Sequence, residues 1–453
     1  MRTVRKPQAK RFPRALCAAA LGLAALGAAR SASAQAFNSQ STGADGAFDL
    51  TGTPSGTIVD FDPRVLRVNR DPAQPPIDPQ RDNVFHFTNV VVPTGVTVKL
   101  SARWTSGPVY WLATGTVAIA GTLDLTGQQG HSHTNSTVLR VPAVPGPGGF
   151  PGGIGGNHST SSRGRAHSGS GPAGGIGAST PGGDSHRGFG GGFVGSTFLV
   201  PLTGGSGGGG GSYDGFEQWG AGGGAGGGAL LIASSVSINV TGQILAHGGR
   251  GGIGNQACCS AYYGGAGAGG AIRFVAPLIN GNGTLHAGSN VVAGGGCFCQ
   301  PTSGPTSSNS VGGRIRLEAF RHEWSFNIQG SYTSGSPLSS FVPTTPPPSL
   351  QVIGVDGQTV ATDPTGSFDL ADVTINDSGP VEIVIRARNV PLTSGSPAVD
   401  TVPKLYLFSL EGTDIALDAT KLEGSFESST ATVTATLPPG FTRGYVRASW
   451  SVP

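Results

Sequence analysis

Charge is scarce in this chain: only 12% of its 453 residues are Asp, Glu, Lys or Arg. Intrinsic disorder goes with high charge and low hydrophobicity, which is not this profile. Acidic side chains are scarcest in the middle, where Asp184, Asp214 and Glu217 are the only ones between Thr126 and Leu317. Enzymes that cut acidic polysaccharides on a parallel β-helix need clustered carboxylates, either to hold Ca²⁺ or to act as acid and base. The repeating strands of this chain cannot supply such a cluster. The net charge is only +3, and no basic stripe carries interleaved aromatics, so a nucleic-acid partner is not expected. The strict Gly-X-Y period of collagen is missing too, broken by runs such as Gly207 to Gly211. Beyond residue 29 no run is long and apolar enough to form a transmembrane helix.

What is present in excess is glycine, 78 residues of it. The chain opens on a basic region (Arg2, Arg5, Lys6, Lys10, Arg11, Arg14), an apolar run from Leu16 to Ala29, and the small residues Ala32-Ser33-Ala34. This is the order of an export signal, and cleavage is expected after Ala34 or Ala36. Residues 1–34 are therefore assigned to a signal peptide, and the mature chain to the extracellular space or cell surface, with the periplasm as a further compartment. No integral membrane segment is expected after cleavage. Four cysteines then remain, Cys258, Cys259, Cys297 and Cys299. An even number in an exported chain favours disulfides, and a four-thiolate zinc site suits a reducing compartment better.

Residues 35–83, rich in Pro, Asp and Gly, read as a loose N-terminal capping segment. From 84 to 335 an internal repeat dominates. Tyr110-Trp111-Leu112-Ala113, Leu230-Leu231-Ile232-Ala233, Ile272-Arg273-Phe274-Val275 and Ile315-Arg316-Leu317-Glu318 each open a unit of three short period-2 runs, followed by a glycine-rich insert. Leu230, Ile272 and Ile315 stand 42 and 43 residues apart. Such a unit cannot bury its apolar face alone, so the pattern predicts four or five turns of a short, glycine-rich, parallel β-solenoid of right-handed β-helix type. Tyr110, Leu230, Ile272 and Ile315 are expected in one inward column, and Leu112, Ile232, Phe274 and Leu317 in the next. Trp111, Leu231, Arg273 and Arg316 are expected to point outward. The glycines are expected to supply positive φ at every second insert residue, and the run 204–228 to pack as close extended helices. Stacked inserts would bring Cys258 and Cys259 over Cys297 and Cys299, closing loops of about forty residues.

A proline-rich stretch, 336–349, forms a stiff linker. Residues 350–453 then show alternating runs at Leu350–Val355, Asp372–Ile375, Val381–Arg386, Lys404–Leu410, Ala431–Leu437 and Gly444–Trp450. This spacing predicts an immunoglobulin-like β-sandwich.

The stretches Ser41-Thr42-Gly43-Ala44-Asp45-Gly46-Ala47-Phe48, Phe87 to Val98, Gly115 to Leu123 and Leu199 to Gly208 resemble a set of exported glycine-rich bacterial proteins. The resemblance covers most of residues 37–335. It implies export and a solenoid, and it brings no catalytic residue with it.

Few side chains are placed to carry chemistry. Arg273 and Arg316, with Arg314 alongside, would stack on the outward face and need a counter-charge such as Glu318 or an acidic glycan. Asp214 and Glu217, with Trp219 nearby, are the one local acid pair and the candidate for a sugar-contacting patch. His247 and His286 fall near equivalent points of successive units. Gly249-Arg250-Gly251-Gly252-Ile253-Gly254 matches the dinucleotide fingerprint, but no helical period follows it. No catalytic residue, metal site or cofactor is expected. The expected function is that of a secreted or cell-surface structural or adhesive protein whose partner is an extracellular glycan or cell-surface component. A carbohydrate-binding or polysaccharide-cleaving β-helix module is the alternative.

Overall fold

A computed structural model of the chain describes residues 37–66, 77–78, 82–105, 107–132, 141–156, 166–178, 187–212, 220–253, 263–289, 312–338, 348–361, 364, 371–395, 397–409, 415–440 and 442–450. The export segment, the four cysteines, the Asp214–Glu217–Trp219 patch and most of the proline-rich stretch lie outside these residues. The described residues are all-β, with no α-helix.

Fifteen short strands form the first part: β1 (Gly46–Asp49), β2 (Ile58–Asp60), β3 (Val84–Val92), β4 (Thr97–Lys99), β5 (Val109–Ala113), β6 (Val117–Ile119), β7 (Thr122–Asp124), β8 (Ala229–Ser234), β9 (Ser237–Val240), β10 (Gln243–Leu245), β11 (Ala271–Gly281), β12 (Thr284–His286), β13 (Arg314–Trp324), β14 (Asn327–Gln329) and β15 (Ser331–Gly335). They pair in parallel. A nine-stranded sheet runs β15-β13-β11-β8-β5-β3-β6-β9 with β1 on β3, and a six-stranded sheet runs β14-β12-β10-β7-β4-β2. The long strands turn a corner: β11 pairs β8 through its first half and β9 through its second.

Each unit thus lays one rung on the last. The six-stranded sheet counts six rungs; the segment read as a loose cap supplies the first of them, β2, and also β1 of the nine-stranded sheet. At about 4.8 Å per strand the six rungs span roughly 24 Å. The interior is filled by β-branched, leucine and aromatic side chains. Val98, Leu123, Ile244 and Leu285 form one column from the six-stranded sheet. An aromatic cluster of Phe48, Phe61, Phe85, Phe87 and Trp111 closes the N-terminal end, with Trp111 packed edge-on against Phe87 at 5.8 Å. Ser39 and Ser41 strap the corner from outside, donating to the carbonyls of Ala113 (2.6 Å) and Phe87 (2.8 Å).

One column differs from the expectation. Val109, not Tyr110, stands under Leu230, and Trp111 stands under Ile232, Phe274 and Leu317. Trp111 is fully buried in the interior, while Tyr110 joins Leu231, Arg273 and Arg316 on the opposite face. Tyr and Trp are both plausible inside, so local alternation cannot choose between the two phases. A one-residue slip exchanges the faces.

The second difference concerns glycine. Those in 204–211 and 220–228 have no positive φ; that geometry occurs at corners such as Gly95 (φ 82). Here glycine serves by lacking a Cβ. In the segment 204–211, Gly205, Gly208 and Gly211 donate to Gly227, Gly224 and Ala221 at 2.8–2.9 Å. Ser206 and Gly209 donate to Gly192 and Phe189, and Gly207 and Gly210 to Ser170 and His167. The partner changes with every residue and returns after three. That is three residues per turn without internal bonds, the polyproline II geometry. Segments near 127–131, 146–156, 166–170, 174–178, 187–192, 220–228, 246–252 and 263–270 join in the same way. The described glycine segments are thus a bundle of extended helices, as expected in 204–212 and 220–228, and it takes in residues 246–252 of the dinucleotide-like stretch.

The C-terminal residues form antiparallel sheets. One has five strands in the order Gln358–Thr359, Ser349–Val355, Pro380–Arg388, Ser429–Thr436, Glu423–Gly424. Another has Ile415–Asp418, Lys404–Ser409 and Thr442–Arg447. Val381, Ile383, Ile385, Leu405, Leu407 and Val433 share one core. The run Asp372–Ile375 is not a strand, and Ile415–Asp418 was not anticipated.

A Cβ added at Gly226 would overlap the carbonyl of Gly205, whereas one at exposed Gly52 would meet nothing within 4 Å. Gly226→Ala is expected to cost roughly 1–3 kcal/mol by overpacking, and Gly52→Ala to stay within about 0.5 kcal/mol of the parent. Equilibrium denaturation of both variants decides this. Equal stabilities would show that the bundle tolerates a side chain at this contact.

Candidate functional site

Three places gather polar side chains. The first is the arginine column. β11 and β13 pair Arg273 with Arg316 and place Val275 opposite Glu318. Arg273 donates to Glu318 from Nε (3.0 Å) and Nη2 (3.4 Å), and Arg316 donates from Nε at 3.2 Å. The expected counter-charge is thus Glu318. The face is not open, however: Arg273 is 1% exposed, Arg316 7% and Glu318 0%. Leu199 and Leu202 pack over this face with Leu231 and Val275. Phe198 lies 5.2 Å from the Arg316 guanidinium, and Arg314 donates to the Gly195 carbonyl at 3.3 Å. Leu338 N–H adds a bond to Glu318 Oε2 at 2.9 Å, and Arg316 reaches the Ser334 carbonyl at 3.2 Å. Burial pushes the Tyr110 hydroxyl in the same column up to about 12, with Arg273 pulling the other way. Arg273 and Arg316 therefore do not present an acidic-ligand site. The insert folds across them because the apolar members of that face, Leu231, Ala233 and Val275, also require cover.

The second place is the outer side of the six-stranded sheet. The rings of His247 and His286 lie 4.8 Å apart at a 42° interplanar angle. Thr126 Oγ1 is 3.3 Å from His247 Nε2. Burial holds the His247 imidazole below the usual histidine range, opposed by the Gly248 carbonyl and Asp124 and reinforced by Arg250. Burial and then His247 itself lower His286. Among the described residues no group of three or more His, Cys, Asp or Glu is arranged to hold a metal ion.

The third is a groove of about 370 Å³ at the corner between the second and third strand columns. Gly95, Gly121, Gly242 and Gly283 recur there, one per rung, flanked by Thr94, Thr122, Thr241, Gln243, Asn282 and Thr284. A Cβ on Gly242 would overlap the Gly121 carbonyl, and one on Gly283 the Gly242 carbonyl, so only glycine lets these corners stack. In three of the four corners glycine stands directly before a strand, at Gly121, Gly242 and Gly283, a repeat visible in the sequence once the units are aligned. It was missed because no ionisable side chain marks it. Compared with protein-family models, with curated proteins and with solved structures, the chain matches none.

Removing one partner from a buried ion cluster leaves uncompensated charge and costs about 3–5 kcal/mol. Glu318→Gln should lose that much, while the triple change Arg273→Met, Arg316→Met, Glu318→Leu should lose less. Denaturant midpoints test the order, and the reverse order would mean the cluster is not electrostatically closed.

The histidine pair predicts a pH dependence. A depressed folded pKa means the native state binds fewer protons than the unfolded chain, so this stability is present above about pH 6.5 and lost as pH falls below it. Asp78 acts in the opposite sense. Burial raises it to about 7 against backbone bonds from Asn83 and Asp82, so its contribution is lost as pH rises through 7. The double variant His247→Gln, His286→Gln should keep the Asp78 effect and show a smaller fall in melting temperature between pH 7 and 5. Parallel pH profiles of variant and parent would refute it.

Proposed function

We propose that this chain is an exported structural or adhesive protein of the extracellular space or cell surface, without catalytic activity. In this reading residues 84–335 form a short glycine-rich β-solenoid entered through the capping segment 35–83. Residues 336–349 link it to an immunoglobulin-like sandwich at 350–453. The observation that carries the reading is the bundle of extended glycine segments, joined backbone to backbone over successive rungs. It adds mass and stiffness to the stack while presenting few side chains, which suits a rigid spacer better than an assembled active site. The parallel rungs and the antiparallel C-terminal sheets support the solenoid and the sandwich respectively. The resemblance to exported glycine-rich bacterial proteins supports the location.

The test is recovery of the protein from fractionated producing cells, with N-terminal sequencing of the recovered chain. It is expected in the medium or protease-accessible on intact cells, starting at Gln35 or Phe37. A chain retained in the cytoplasm with Leu16 to Ala29 still attached would overturn the proposal.

A further inference from the structure

We propose that the corner groove of the six-stranded sheet binds a linear, uncharged glycan lying along the stacking axis. The argument starts from register. Thr97, Thr122, Gln243, Thr284 and Asn327 are opposite one another on consecutive strands of that sheet. The strands repeat at about 4.8 Å, so the four rungs that line the groove span roughly 14 Å. The groove therefore offers the same kind of contact at equal intervals along a line. Such a surface suits a polymer of like units better than a single compact molecule, and the interval is close to the length of one sugar along an extended chain.

The chemistry of the walls narrows the class. Thr94, Thr122, Thr241, Gln243, Asn282 and Thr284 carry hydroxyls and amides, groups that both donate and accept. Among the described residues no hydrogen bond engages these side chains, and the backbone ladder beneath them is closed on itself. Thr122 N–H goes to Val96, Gln243 N–H to Gly121 and Thr284 N–H to Gly242, each at 2.9 Å. Among the described residues no Asp, Glu, Lys or Arg lines the groove, and its hydroxyls and amides carry no charge to select a phosphate, a uronate or a basic polymer. Paired donor and acceptor capacity without charge matches the hydroxyls of a neutral glycan. The glycine corners matter by letting the rungs approach closely; the polar walls are what recognise.

Among the described residues no aromatic lines the groove, and each net hydrogen bond in water is weak, so affinity should rest on several rungs acting together. Binding should strengthen with oligosaccharide length until about four sugars fill the groove, then level off. The experiment uses the purified mature chain, titrated by calorimetry and NMR with neutral β-linked gluco- and manno-oligosaccharides of two to eight residues and with oligogalacturonate. Thr122→Val and Thr284→Val keep shape and remove a hydroxyl, and Gln243→Met keeps length and removes the amide. The triple variant should melt within a few degrees of the parent and bind at least tenfold more weakly. Lys99→Gln, outside the groove, should bind as the parent does. Absence of saturable binding to any neutral oligosaccharide, equal binding by the triple variant, or preference for oligogalacturonate would each overturn the assignment. None of these outcomes bears on where the protein resides, so the structural proposal is tested separately.

Discussion

Hydrogen bonding between glycine backbones is the constraint on which the first part of this molecule depends. A polyproline II segment makes no bonds of its own, so each N–H and C=O must find a neighbouring segment. In a bundle those neighbours lie on every side, and they can approach only where no Cβ intervenes. Gly223, Gly226 and Gly267 each face a backbone carbonyl at the position a side chain would occupy. The abundance of glycine is thus a packing requirement and not a flexibility requirement. The same ladder runs on into the strands. Gly228 N–H bonds Leu125, Ala271 N–H bonds Gly228, and Arg314 N–H bonds Gly270. The inserts therefore enter β8, β11 and β13 already in register.

A stack built in this way has two kinds of wall. The nine-stranded sheet is apolar on both faces where the insert covers it, as the fully buried β5 and β8 show. Burying that second face carries Arg273, Arg316 and Glu318 out of solvent, and their mutual pairing compensates the desolvation. The six-stranded sheet alternates a buried residue with a partly exposed one, as in Thr122-Leu123-Asp124 and Thr284-Leu285-His286. Among the described residues of the first part, this second wall is the one that lines up polar side chains on a partly open surface. Since each unit repeats the corner, any local preference for a hydroxyl or amide is multiplied along the axis.

Much of this was legible in the residues. The 42- and 43-residue spacing of Leu230, Ile272 and Ile315 marked units that pair in register, and the period-2 runs marked their strands. Five of the six C-terminal runs became strands as well. Local alternation suffices for these because each strand must put every second side chain on one face. The phase of β5 was not legible, because Tyr110 and Trp111 are interchangeable locally and only the aromatic cluster of Phe48, Phe61 and Phe87 selects Trp111. Nor were the two strands of the capping segment, whose apolar residues are few and acquire a purpose only against the next rung.

By itself the sequence determined that the chain is β-rich, repetitive and padded with glycine that must pack tightly somewhere. Tertiary structure decided which segment each glycine touches, since a residue without a side chain carries no pattern to name its partner. It also decided that Arg273 and Arg316 are internal: their burial depends on Leu199 and Leu202 returning from more than seventy residues away in sequence. Likewise the polar corner becomes a groove only when rungs from four separate stretches are laid side by side. In each case the deciding contact is long-range, and the short-range alternation that names a strand carries no information about it.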